Sequence, residues 1–408
     1  MPVVSNPIYN PTSAYQPILY NVFYTATPDI VKYCEFKVFV NGTSIGIGRK
    51  VYYATNAAFG SVEYYFDIDI QEYLQRWLAP NRNKSSMFGA LGAATQVDNI
   101  DAYADVYVEF RYLILSATTG KIYEAPSFDT SDIRVVDMAT RQNGEARSFS
   151  EFIWTPPSVP ARFLSNMPIQ QSICRNGNAF ISFMSGWNWM RLQTFNSSGI
   201  QITDSYAPTG GSTTVGHTTV GAGIAQLQNV VWFDGMNPNF TGAVFYGITF
   251  GVGIIATPTT IFFIGNQIQK LYKIEDCCSK KLKLFWLNRL GGVDNFDFCY
   301  TDLQQKTESQ VFEKALSWPH LQSDFGKSAT NIKAERSYAI QDKVKNLDMD
   351  WLRELFASAE IYIQNPDGSL QYWRVTIPPA SFLEKKNKGV VDIEFEVLIS
   401  QDVVTHRI

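Results

Sequence analysis

Apolar and polar residues alternate with a period of two through much of this chain, the signature of strands with one face buried. In EFKVFVNGTSIGIGRKVYY the alternation is interrupted by Asn41-Gly42, and that dipeptide suits the tight hairpin turn that needs positive φ at both central residues. DVYVEFRYLILS and DIRVVDM carry the same period and are the expected partner strands, while AYADVYVEFRYLILSATTGKIYEA predicts a second hairpin around Thr119-Gly120. Between them the spacing changes. Tyr73, Leu74, Trp77 and Leu78 recur at helical intervals behind Asp69 and Glu72, so QEYLQRWL predicts one short capped helix. Residues 1–154 therefore read as a β-sandwich with an inserted helix.

TPPSVPARF places three prolines within six residues and marks a boundary. Residues 155–272 form a second β unit through AFISFM, MRLQTFNSSGIQITDS and two uncharged runs separated by ATPTT. The stretch from Ala243 to Ile264 is long enough to cross a bilayer, but Pro258, three glycines and four threonines favour two strands and a turn over a spanning helix. APTGGSTTVGHTTVGAG, residues 207–223, reads as a mobile loop that orders only against another chain. In residues 273–408, Asp348 is expected to cap a helix over about 348–357, with Trp351, Leu352, Leu355 and Phe356 on one face, before the strands AEIYIQ, QYWRVTI and VVDIEFEVLIS. The whole pattern predicts a mostly β protein of consecutive immunoglobulin- or fibronectin-like sandwich domains with a few short helices.

Charge sharpens this division. Residues 1–154 hold 12 basic and 16 acidic side chains, residues 155–272 only 4 and 2, and residues 273–408 hold 18 and 20. From Gly235 to Gln269 there is no charge at all, a depletion typical of an interface core. Ile254 and Phe262, in that run, are the expected centre of a contact between subunits, together with Trp286, Leu290, Gly291 and Gly292 of the following hairpin. A net charge of -4 gives no basic stripe for direct sequence-specific nucleic-acid binding. The opening MPVVSNPIYNP lacks a basic start and apolar core, and five cysteines without regular spacing fit reduced thiols, so synthesis in a cytosol is expected.

Candidate chemistry fails on context. EDCCSKKLKLFWLNRLGGVDNFDFCY gathers Cys277, Cys278 and Cys299, but adjacent cysteines cannot easily occupy two corners of one tetrahedron and no fourth ligand is near. Its alternation, with Leu282, Leu284 and Trp286 on one face and a Leu290-Gly-Gly turn, predicts a hairpin. GVGIIA, residues 251–256, matches a dinucleotide fingerprint, yet TPTT immediately afterwards forbids the helix a pyrophosphate would need. DFGKS, residues 324–328, has no surrounding kinase or Walker pattern, and with only His217, His320 and His406 a hydrolase has little to build from. No enzyme activity, metal or cofactor is expected. Trp187 and Trp189 in SGWNWM, with Trp232 in WFDG, are candidate contacts for a glycan or a protein partner, set against the commoner role of indoles as core or interface anchors.

Several segments resemble one family. IEDCCSKKLKLFWLNRLGGVDNFDF is similar to a segment of tail-associated structural proteins of tailed phages infecting Bacteroidota, including crAss-like phages, in which an acidic-Cys-Cys lead enters a strand ending in L-N-x-L-G-G and continues into D-x-F-x-F. YNPTSAYQPILYNVFYTATPDIVKYCEFKVFVNGTSIG looks like the start of those proteins, ARFLSNMPIQQSICRNGNAFISF like the beginning of their second domain, and WLRELFASAEIYIQ with VVDIEFEVLISQD like their end. The resemblance implies a virion component made in the host bacterial cytoplasm: a homo-oligomeric tail ring or hub, or a head-tail collar, in contact with copies of itself and with other tail, collar or fibre proteins. A carbohydrate-binding adhesin or fibre-attachment module that meets host-surface polysaccharide, and a virion-associated cell-wall hydrolase, are the other two readings.

Overall fold

The computed structural model describes residues 3–5, 12–14, 17–26, 28–58, 61–81, 96–98, 103–136, 162–184, 187–209, 218–233, 235, 237–257, 260–276, 280–313, 327–345, 348–358, 360–364, 372–379, 383–387, 389–399 and 403–406. Among them the chain is mostly β, with several sheets and a six-stranded barrel. No helix among the described residues is long and apolar enough to cross a membrane.

In the first segment, Ile30–Val40 buries Val31, Cys34, Phe36, Val38 and Val40 in near-alternation, as its sequence period requires. It pairs with Thr43–Lys50 on one side and Tyr103–Leu115 on the other. Asn41 and Gly42 take φ of 47° and 79°, so the predicted two-residue turn forms with both centres left-handed. The Asn41 amide oxygen also accepts from the Asp105 N–H at 3.0 Å, tying the turn to the neighbouring strand. A second sheet, ordered Val3–Ser5, Leu19–Ala26, Ser61–Asp69, Ala54–Ala58, shares one core with the first. Helix Gln71–Asn81 contributes Leu74 and Leu78 to that core, and the Asp69 carboxylate accepts from the N–H of Gln71 at 2.9 Å and of Ile18 at 3.1 Å. One side chain thus starts the helix and fixes the strand beside it.

The middle segment has a five-stranded sheet in the order Gln170–Cys174, Thr260–Glu275, Phe245–Thr257, Trp189–Phe195, Gln201–Pro208. The uncharged run is a hairpin: Phe245 to Thr257 pairs antiparallel with Thr260 to Lys273, and GVGIIA lies within the first of these strands, where no helix begins. Its companion sheet contains Phe180–Phe183, Thr218–Gly221 and, from the first segment, Gln96–Asp98. The loop expected over 207–223 is therefore shorter. Ala207 and Pro208 end one strand, Thr218–Gly221 is another with all four residues buried, and 210–217 lie outside the described residues. A short helix, Ile224–Gln228, follows, which the sequence pattern did not predict. Gln226 holds it against the sheet, its amide oxygen accepting from the N–H of Gly223 at 2.9 Å and of Ala179 at 3.1 Å.

In the third segment the expected sandwich is replaced by closure. Lys281–Leu287, Val293–Glu313, Lys327–Lys345, Val390–Ile399, Tyr372–Thr376 and Ile361–Gln364 pair in that cyclic order, the last returning to the first, all antiparallel. Closure removes the edges that an open sheet would expose. Helix Met349–Ala357 turns Trp351, Leu352 and Leu355 into the barrel core, with the Trp351 ring 5.4 Å from that of Trp286. Asp348 precedes this helix but makes no capping hydrogen bond through its side chain, contrary to the expectation for that position.

Cys174 is disulfide-bonded, which corrects the expectation of reduced thiols throughout, whereas Cys34 and Cys299 are free. Gln170–Cys174 runs parallel to Thr260–Glu275 with Cys174 level with Glu275, two sequence positions before Cys277. Cys277 and Cys278 themselves lie outside the described residues.

Candidate functional site

The long hairpin of the middle segment outgrows its sheet. Trp189–Phe195 pairs with its first strand only from Phe245 to Gly251, and Gln170–Cys174 pairs with its second only from Leu271 to Glu275. Beyond Gly251 the two strands continue as a projecting ribbon in which Ile254 stands opposite Phe262 and Ile255 opposite Ile261. Ile254 and Ile255 are each 57% exposed and Phe262 is 70% exposed, while Ile261 is buried. Three large apolar side chains thus meet solvent on an element without a charge to hydrate it.

Packing underneath aims the ribbon. Trp189, Tyr206 and Ile261 form a small cluster with Phe233 and Phe263, separate from the main core of the segment. Asn188 brackets the backbone of Gly253, its amide oxygen accepting from the Gly253 N–H at 3.0 Å. A Cβ at Gly253 would come within 2.3 Å of Ile261 and 2.9 Å of Trp189, so only glycine lets the strand lie on this cluster. Arg191 grips Asp204 through two bonds of 2.7 and 2.6 Å and lies over the Tyr206 ring, closing the cluster on its polar side.

The other predicted contacts lie elsewhere. Trp187 and Trp232 are in the main core of the middle segment, Trp187 against Phe183 and Phe250, and Trp232 donating its indole N–H to the Leu227 carbonyl at 2.9 Å. With Trp189 also buried, none of the three offers a face for a sugar ring to stack on, which corrects that assignment. Trp286 is fully buried in the barrel, and Leu290, Gly291 and Gly292 are buried where the barrel meets the rest of the chain. The Asn288 amide donates to the Leu164 carbonyl at 2.7 Å, and a Cβ on Gly292 would lie 2.1 Å from that same oxygen. Trp286 thus belongs to the barrel core, and the Leu290-Gly291-Gly292 turn packs where the barrel meets the chain near Leu164, so all four are buried within this chain. Ile254 and Phe262 alone of the proposed assembly residues are exposed.

The same junction buries charge that the sequence pattern missed. Lys270, the one charged residue between Gly235 and Tyr272, is buried and donates to the carbonyls of Met167, at 3.5 Å, and Pro168. Asp294 is fully buried and accepts from Ser165 Oγ at 2.6 Å and from Trp351 Nε1 at 2.7 Å. Burial pushes the Lys270 ammonium well below its ordinary range and the Asp294 carboxyl well above its own, with the carboxylate of Asp294 supporting the charge on Lys270. Lys283, also removed from solvent, donates to the Asn178 carbonyl at 2.7 Å and lies 3.3 Å from Asp297. A solitary lysine at the end of a 35-residue uncharged run was the available signal for this junction.

Beside the junction opens a cleft of about 660 Å³ with both signs of charge along its walls, including Lys273, Glu275, Lys281, Lys345 and Asp348. Glu275 and Lys281 are paired at 2.6 Å, and that contact holds the Glu275 carboxyl below its usual range. Cys299 lies in this wall, but burial raises its thiol, the reverse of an activated thiolate. Among the described residues no group of three or more histidine, cysteine, aspartate or glutamate side chains is placed to hold a metal. No family model and no curated protein matches the chain.

Proposed function

We propose that this protein is a structural, homo-oligomeric virion component, a tail ring or hub or a head-tail collar, whose copies meet through the projecting hairpin around Ile254 and Phe262. One observation carries the reading: the two residues face each other in register, both exposed, at the end of an uncharged ribbon supported from below by Trp189. Apolar surface of that kind on a preformed element marks a contact site. Head-to-tail repetition of one such contact closes into a ring when the rotation allows, here of roughly six or more copies. The similarity to phage tail-associated proteins supplies the virion, and we read the two sheets of the first segment as an immunoglobulin-like sandwich within it.

A carbohydrate-binding role resting on Trp187, Trp189 and Trp232 loses its basis with their burial. The test is electron microscopy and mass measurement of the purified full-length protein. Rings that disappear in Ile254→Asp and Phe262→Asp variants, with the fold retained, support the reading. A wild-type protein that stays monomeric at high concentration, or rings that survive both substitutions, overturn it.

A further inference from the structure

The longest strands of the molecule leave the barrel together. Val293–Glu313 pairs with Lys281–Leu287 only as far as Cys299, and Lys327–Lys345 pairs with Val390–Ile399 only from Lys345 to Ser337. Past those points the two strands pair with each other out to Glu313 and Lys327, and Val403–His406 adds to the second of them at Ile332 to Ala334. A dozen residues at about 3.3 Å each carry this ribbon on the order of 40 Å beyond the last barrel pairing. Along the other side, no strand among the described residues pairs with the outer edge of the first strand from Thr301 to Glu313. Two strands alone are marginally stable in water, and an open edge of that length is a template for a further strand. Addition of Val403–His406 on the opposite side shows that this ribbon accepts one.

The edge sequence specifies its occupant. In TDLQQKTESQVFE, residues 301–313, an antiparallel pairing of two copies centred on Thr307 sets Lys306 of each opposite Glu308 of the other. The same register sets Leu303 opposite Val311, Gln304 opposite Gln310 and Gln305 opposite Ser309. Moving the centre by one residue destroys the match, since a centre at 306 puts Lys306 against Lys306 and a centre at 308 puts Glu308 against Glu308. Opposite charges directly across a strand pair stabilise it and like charges oppose it, so the sequence selects one register out of its neighbours.

We propose that the Thr301–Glu313 edge is a two-fold pairing surface for the same edge of a second copy of this chain. This contact is isologous and independent of the hairpin tip, and a ring whose members also pair this way doubles into two rings back to back.

The experiment uses the full-length chain carrying Ile254→Asp, so that a tip-mediated ring does not obscure the result, with mass followed by analytical ultracentrifugation. Dimers are expected in that background. Lys306→Glu sets acid opposite acid twice, and Glu308→Lys sets base opposite base twice, so each alone is expected to weaken dimerisation by about ten-fold or more with unchanged circular dichroism. Lys306 and Glu308 also stand opposite Glu335 and Lys333 within the ribbon, so each change creates a like-charge pair there that persists in every variant. Mixing the two variants restores opposite charges only between the copies, so recovery of the dimer on mixing reports the contact between copies alone. A monomer in the Ile254→Asp background overturns this proposal while leaving the ring reading to its own test. Single variants that dimerise like the parent, or a mixture that fails to recover, overturn it as well.

Discussion

Ile254 and Phe262 are cross-strand partners in one hairpin, and both are exposed, whereas Ile261, the next residue along the second strand, is buried against Trp189 and Tyr206. Because successive residues of a strand point to opposite faces, the face of Ile261 and Phe263 is anchored on the Trp189 cluster and the face of Ile254 and Phe262 is presented, while Ile255, on the anchored face, is itself 57% exposed. Ile254→Asp and Phe262→Asp are therefore expected to change unfolding free energy by no more than about 0.5 kcal/mol, as at exposed sites generally. Ile261→Asp places a carboxylate in the cluster and costs several kcal/mol, roughly the penalty for an unpaired buried charge. Urea denaturation followed by tryptophan fluorescence separates the two cases, and equal losses at 254 and 261 would contradict the facing assigned to them.

Gly253 tests the support of the ribbon. An alanine Cβ there meets Ile261 and Trp189 at 2.3 and 2.9 Å, and neither contact is the free end of a flexible chain. Gly253→Ala is expected to cost about 1–3 kcal/mol through overpacking and to alter Trp189 emission. Gly199→Ala, at a turn glycine with open space around it but a φ of 76°, would lose stability through backbone strain without that spectral change.

The junction charges predict a particular pH dependence. Asp294 is raised from 3.8 to about 6, so its contribution is fully present below its ordinary value and is lost as pH rises through about 6. Lys270 is lowered from 10.5 to about 7, so its contribution is present above its ordinary value and is lost as pH falls through about 7. Between these two values both are ionised in the native state and their titration contributes least. Asp294→Asn alone weakens the bonds from Ser165 and Trp351 and removes the carboxylate whose charge favours the Lys270 ammonium, and is expected to cost about 1–3 kcal/mol. The pair Lys270→Met with Asp294→Asn recovers part of that loss and flattens the stability profile near neutrality. A double variant no more stable than the single one, with the profile unchanged, would show that the two charges are not coupled.

Gly292 reports on the docking of the barrel. Its hypothetical Cβ lies 2.1 Å from the Leu164 carbonyl, a backbone atom that cannot turn aside. Gly292→Ala is expected to destabilise by at least about 1–3 kcal/mol and to expose the chain near Leu164 to limited proteolysis. Protection there equal to wild type would mean that the turn and Leu164 separate without cost.

Local order was legible in the sequence. Asn41-Gly42 dictates its hairpin because few other dipeptides take left-handed φ at both positions, and the spacing of Trp351, Leu352 and Leu355 dictates a helix with one buried face. Three large cores draw on residues between 14 and 135, between 173 and 274, and between 282 and 399, with Met167 joining the third. What covers each apolar face was not legible. Alternation places Trp286 on a face with Leu282 and Leu284 but cannot say whether that face meets another subunit or the inside of a barrel. Pairing of Ser337–Lys345 with Val390–Leu398, which closes the barrel, joins segments about fifty residues apart through backbone groups that every sequence possesses. Gln96–Asp98 joining a sheet of the middle segment is invisible for the same reason. The amino-acid order determined where strands, turns and helices form, because those depend on neighbours along the chain. Only the tertiary structure decided that Trp187, Trp232, Trp286 and Leu290 are interior and that Ile254 and Phe262 are surface, because burial depends on which distant strands the backbone ladders bring together.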